Sequence, residues 1–168
     1  MFAWYQGAPA EWPGRLIVAI ELASSCPRGT HMPDSYEIRP VGHVESPLLD
    51  REVAPRQGDE GAPDAWLVFE PSVREALRDL EVDTDVIVLT WLDRADRDVF
   101  AVRPRGDASR PLTGVFSTRS PDRPNPIGLH RVTIAAIEGI RVQVRNLEAL
   151  DGTPIVDIKP VLGDPGDR

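Results

Sequence analysis

Residues 132–144 read VTIAAIEGIRVQV, and this stretch decides the fold class. Two β-branched runs, VTIAAI at 132–137 and IRVQV at 140–144, flank Glu138-Gly139, a two-residue turn signal. That arrangement predicts an antiparallel hairpin. In the second arm Ile140, Val142 and Val144 alternate with Arg141, Gln143 and Arg145. One face of this arm is therefore apolar and the other wet.

Working outward, further short strands appear on both sides. Downstream, PIVDIK at 154–159 follows the turn residues Asp151-Gly152. Upstream lie IRPVGHV at 38–44, WLVFE at 66–70, DVIVLTWL at 85–92, DVFAV at 98–102 and GVFST at 114–118. One helix is expected at 71–80 (PSVREALRDL). Proline opens it at a tolerated first-turn position. Val73, Ala76, Leu77 and Leu80 make one apolar stripe at i, i+3, i+4 and i+7. Residues 46–64 are rich in proline, glycine and charge and read as a long loop of the functional kind. Many short strands, one helix and long loops predict a mainly β chain, a barrel or a sandwich.

The bulk numbers suit this. A chain of 168 residues with 41% apolar content has enough mass for one domain with a real core. A net charge of −8 argues against general nucleic-acid coating. The charge is uneven: from Arg94 to Arg131 eight arginines face four aspartates, a local excess of four positive charges. This segment either meets an anionic partner or forms a solvated mixed-charge surface. Cys26 is the sole cysteine, so no intrachain disulfide forms, which fits a reducing cytosol. No apolar run approaches membrane-spanning length.

The first residues read differently from the rest. LIVAIEL at 16–22 followed by ASSC faintly suggests a cleavage site, but Glu21 interrupts the run and Arg15 is the only preceding positive charge. SSCPRGTHM, ending at Met32, looks like a tag scar or a misassigned upstream start. Residues 1–35 are thus expected to be a disordered extension, 36–163 the domain and 164–168 a tail.

Two segments carry candidate chemistry. The first is STRSPDRPNPIG at 117–128, with Arg119, Arg123 and Asn125 among three prolines. Proline fixes φ, removes backbone donors and biases its predecessor towards extended geometry, so a stiff, extended loop is expected. Stiffness suits a loop that grips a ligand, because less entropy is lost on binding. The second is DGTPIVDIKP at 151–160. Asp157 and Lys159, two apart on a strand, share a face and could simply form an ion pair. His31, His43 and His130 have no partner at ligand spacing, so no metal site is predicted. Neither a phosphate-binding glycine loop nor GxGxxG nor a nucleophile elbow is present.

GVFSTRSPDRPNPIG, followed some twenty residues later by LEALDGTPIVDIKP, resembles the TsaA-like family. VGHVESP at 41–47, PRQ at 55–57 and WLDRADRD at 91–98 resemble it too. The match runs from about Ile38 to Leu162. The best-known members methylate N6 of threonylcarbamoyladenosine in tRNA. The resemblance implies a small antiparallel β-barrel that uses S-adenosylmethionine, and a homodimer with the cofactor near the subunit interface. It implies cofactor contacts from Arg119, Arg123, Asn125 and Pro126 in the first motif. In the second it implies Asp151, Gly152, Thr153, Asp157, Lys159 and Pro160. Arg94, Arg97, Arg103, Arg105 and Arg110 are the candidate RNA-phosphate contacts. No general base is assigned. A small-molecule acceptor, or a cofactor-binding module without turnover, remains an alternative. The chain departs from the usual KPYLP at Lys159-Pro160-Val161, losing an aromatic, and is expected to lack the second domain of longer relatives, which predicts a smaller RNA-contacting surface.

Overall fold

A computed structural model describes residues 16–18 and 36–162. They fall into two compact units, divided between Pro40 and Val41. In the first, β1 (Leu16–Val18) pairs antiparallel with β2 (Tyr36–Ile38). The rest of the leading segment, including Met32, and the tail 164–168 lie outside the described residues.

The second unit is the barrel. Its strands are β3 (Gly42–Glu45), β4 (Ala65–Phe69), β5 (Asp85–Trp91), β8 (Ile127–Glu138), β9 (Arg141–Arg145) and β10 (Pro154–Pro160). They close in the order β10-β3-β4-β9-β8-β5, every neighbour antiparallel. Closure pairs every strand on both sides, so the barrel has no free edge. The period-two pattern sets the inside: Val44, Leu67, Val88, Ile134, Val142 and Ile155 are fully buried. Each such side chain stabilises the fold by about 1.5–3 kcal/mol. In β8 a register shift between Ile134 and Ala136 lets the strand bend from its partner β5 towards β9.

Several expectations shift. The strand foreseen at 38–44 breaks at Pro40, which lacks the donor a ladder needs. The hairpin turn is Gly139-Ile140, because Glu138 still pairs with Arg141 and Gly139 supplies the positive φ of 67°. The helix at 71–80 is instead a 3₁₀ segment, Pro71–Leu77, with i to i−3 bonds at Val73 and Arg78. So short a segment does not offset the cost of α-helix nucleation. Leu77 is buried, Val73 and Leu80 pack on the core, and Ala76 faces solvent. The strands foreseen at 98–102 and 114–118 shrink to β6 (Ala101–Val102) and β7 (Thr113–Gly114), paired with each other. Among the described residues, no helix is long and apolar enough to cross a membrane.

Candidate functional site

In an antiparallel barrel of this order, the β3–β4, β5–β8 and β9–β10 connections leave from one end. They enclose a cavity of about 1740 Å³. Pockets for one small ligand run to roughly 300–1,000 Å³, so this space admits two reacting partners.

Where the barrel interior meets the cavity, its lining turns polar. Thr90 is fully buried and its Oγ1 lies 2.9 Å from His130 Nε2. His130 Nδ1 lies 2.8 Å from Glu148 Oε1. His130 and Glu148 both line the cavity. Buried polar groups are tolerated only when paired, and these three pair with one another. Gly128 makes the arrangement possible: a Cβ there would sit 2.2 Å from Thr90 Oγ1 and 2.5 Å from His130 Nε2.

The loop at 117–126 is curled rather than extended. The Arg123 guanidinium donates to the carbonyls of Ser120 (2.8 Å), Val115 (3.1 Å) and Thr118 (2.7 Å). One rigid planar fork thus gathers three carbonyls of its own loop. Arg119 lines the cavity, exposed, with no hydrogen bond or ion pair among the described residues. Asn125 is exposed and outside the cavity, while buried Pro126 accepts from the Leu92 amide at 2.8 Å.

The second motif divides. Thr153 lines the cavity beside Glu148, Ala149 and Leu150. Asp151 accepts from the Ser46 amide at 3.0 Å, and its own amide bonds the Leu48 carbonyl. With Gly152, whose amide bonds the Val44 carbonyl, it anchors the start of the 46–64 loop. Asp157 and Lys159 form the foreseen ion pair, 2.8 Å apart and exposed. With Pro160 they stand outside the cavity lining.

The five candidate RNA-contacting arginines also have local partners. Arg94 donates to the Leu49 and Asp151 carbonyls at 3.2 and 3.1 Å, fastening two connections together. Arg97 stacks over Trp91, 5.5 Å from the ring centroid. Arg105 pairs with Glu60 at 2.8 Å, Arg110 with Asp107 at 3.6 Å, and Arg103 donates to the Arg110 carbonyl. All but Arg97 line the cavity.

The two long connections are latched by Arg51 and Asp122, and Asp122 also accepts from the Asp96 amide at 2.9 Å. Burial pushes the Asp122 carboxyl up. The Arg51 hydrogen bond and the Asp96 amide outweigh it and hold the group below the ordinary carboxylate value. A depressed folded value means the contact contributes fully above the ordinary aspartate range, near pH 4, and is lost as pH falls through the folded value. The protection factor of the Asp96 amide against hydrogen exchange should therefore fall in acid, and Asp122→Asn should abolish that dependence. An Asp96 amide equally protected at pH 2.5 and 7 contradicts the latch.

Sequence reading missed the Thr90–His130–Glu148 chain. Its members are 40 and 18 residues apart, and no spacing rule links them. The only local hint is a glycine two residues before His130 on a strand. Among the described residues no group of three or more His, Cys, Asp or Glu side chains could hold a metal ion.

A family model described as the tRNA-methyltransferase O N-terminal domain matches residues 43–164. A probable S-adenosyl-L-methionine-binding protein of Methanothermobacter thermautotrophicus is 45% identical over 127 residues, 76% of this chain and 90% of that protein. Another so named, from Archaeoglobus fulgidus, is 44% identical over 124 residues, 74% of this chain and 33% of that one. The crystal structure of TrmO from Pseudomonas aeruginosa aligns with TM-score 0.60 and 31% identity, over 76% of this chain and 56% of that chain. The present chain thus spans a third of the Archaeoglobus protein and little over half of the solved one. A match over most of the length, on a shared barrel, with both quoted motifs inside it, means that the chain belongs to the tRNA-methyltransferase O N-terminal domain family, the TsaA-like proteins.

Proposed function

We propose that this chain is an S-adenosylmethionine-dependent methyltransferase, and that its acceptor is N6 of threonylcarbamoyladenosine beside a tRNA anticodon. The observation that carries the reading is one cavity, lined by residues of both sequence motifs and rimmed by arginines. The names of the Methanothermobacter and Archaeoglobus relatives supply the cofactor.

The residues fit that cofactor. Arg119 lines the cavity with no partner among the described residues, and its guanidinium suits a carboxylate through two parallel hydrogen bonds. Phe116 and Leu112, 82% and 66% exposed, offer apolar surface to an adenine. Thr153 is within the same lining. The cofactor brings an electrophilic methyl group on a positive sulfur. The chain's own task is to align donor and acceptor, an effect that reaches about 7–11 kcal/mol in the best cases. Arg103, Arg105 and Arg110 are exposed, and surface ion pairs such as those of Arg105 and Arg110 contribute under about 1 kcal/mol. RNA phosphates can therefore displace their present partners. Arg94 borders the same cavity and Arg97 stacks on Trp91.

Asp157, Lys159, Pro160 and Asn125 reach a ligand only in a homodimer. The outer barrel face supports one: Leu89 stands opposite Leu129 and Ile87 opposite Arg131, with Asp157 beside Leu89 and Lys159 beside Ile87. Leu129 and Ile127, which also border the cavity, are 47% and 45% exposed there. Ile87→Glu, outside the cavity lining, should weaken self-association at least tenfold by sedimentation. An unchanged dimer would move the interface elsewhere. The reading further takes residues 36–163 as the domain and the cytoplasm as its site of action.

Calorimetry with S-adenosylmethionine, then mass spectrometry of nucleosides after incubation with tRNA from a deletion strain, tests the function. No cofactor binding overturns it. Binding without tRNA methylation favours a small-molecule acceptor or a module without turnover, a reading supported by relatives named for binding alone.

A further inference from the structure

The hydrogen-bonded chain under the cavity ends on an unused oxygen. Thr90 is fully buried, His130 is 6% exposed and the Glu148 side chain 18%. Glu148 Oε1 is held by His130, but its Oε2 has no hydrogen-bond partner among the described residues. That oxygen lies near Gly58, in the 46–64 connection that walls the cavity.

The chemistry orders the chain. An ionised Glu148 accepts from Nδ1–H, which leaves the neutral ring's Nε2 to accept the Thr90 hydroxyl proton. Thr90 and Glu148 thereby fix both the ring and its tautomer. A barrel end that served only stability would be filled by apolar side chains, because a buried hydrogen-bonded network seldom stabilises more than apolar groups of the same shape.

We infer that Glu148 is the general base of the reaction, with His130 and Thr90 as positioning residues. The inference rests on the methyl-transfer reading above. An acceptor nitrogen in a urea-like group has its lone pair delocalised and carries one hydrogen. As it bonds the methyl carbon and the carbon–sulfur bond breaks, its proton passes to Glu148 Oε2. The sulfonium charge is thereby discharged as a proton, which the carboxyl later releases to solvent. The other acidic side chains of the lining serve less well. Glu52 and Asp93 are exposed, and Asp122 is engaged with Arg51 and the Asp96 amide.

The test begins without turnover. Nitrogen NMR of His130 in the full-length protein at neutral pH should show a proton on Nδ1. A bare Nδ1 means that Glu148 is itself protonated, and overturns the assignment. Glu148→Gln keeps an oxygen for Nδ1–H, so S-adenosylmethionine affinity should stay within threefold of wild type. Its single-turnover methyl transfer should fall by about 10²–10³-fold, the usual contribution of a positioned base. Formate should partly restore transfer in Glu148→Ala. Wild-type transfer by Glu148→Gln overturns the base and leaves the methyltransferase reading standing. A tenfold loss of cofactor affinity makes Glu148 a cofactor anchor instead. Wild type that binds no cofactor, or transfers methyl to no acceptor, overturns both.

Discussion

Gly128→Ala should cost the protein about 3 kcal/mol of stability, the sum of an overpacked core and a severed buried network. The added methyl would lie 2.2 Å from Thr90 Oγ1, 2.5 Å from His130 Nε2 and 3.2 Å from Leu92 Cδ2. The first two are the atoms that hydrogen-bond to each other at 2.9 Å. One must leave, and Thr90, which is fully buried, cannot reach water in exchange. Gly128 itself is fixed between β-ladder partners, opposite Thr90. At this chain length the melting temperature should fall by about 10 °C. A shift under 2 °C in calorimetry would mean that the barrel end yields and that its polar chain is loosely held. Thr90→Val should cost less, because it removes a hydroxyl without adding volume at the contact.

Arg123→Ala should leave the barrel folded and lower S-adenosylmethionine affinity between tenfold and a hundredfold. The guanidinium holds three carbonyls at 2.7–3.1 Å within a loop that also carries three prolines, the Asp122 latch to Arg51 and the Pro126 bond to the Leu92 amide. Hydrogen bonds to a charged group contribute about 1.5–3 kcal/mol each, although water recovers part of this at a half-buried site. A loss of 1.4–2.8 kcal/mol in binding corresponds to the stated range. The effect is indirect: Arg119 and Phe116, which face the cavity, lose a defined position when the loop uncurls. Arg123→Lys should not restore affinity, because an ammonium cannot span three carbonyls as a planar fork does. Full rescue by lysine, or cofactor affinity unchanged in the alanine variant, would remove Arg123 from the account. Circular dichroism and the melting curve separate this outcome from global unfolding.

What could be read before folding follows from local rules. The alternation at 140–145 announced which side chains face the core, and Val142 and Val144 are fully buried while Arg141, Gln143 and Arg145 are not. Asp157 and Lys159 share a face because strand side chains repeat every two residues, and they do pair. Misreadings arose where one residue outvotes its neighbours. Pro40 interrupts an otherwise good strand, and a stripe suited to an α-helix closes into 3₁₀ turns over seven residues.

Arg123 shows the limit most plainly. Its neighbourhood is that of a ligand-gripping loop, yet its donors turn back onto that loop's own carbonyls. Donors alone do not say which acceptor will be near.

By itself, then, the sequence determined the strand pattern, the inward and outward faces and the family, because each depends on residues within a few positions of one another. Only the tertiary structure decided that Thr90, His130 and Glu148 join, that Arg94 and Asp122 fasten separate connections, and which motif residues border the cavity. Barrel closure brings together side chains up to 105 positions apart, as at Ser46 and Asp151. Contact at such separation is set by strand order and register, which no local periodicity encodes.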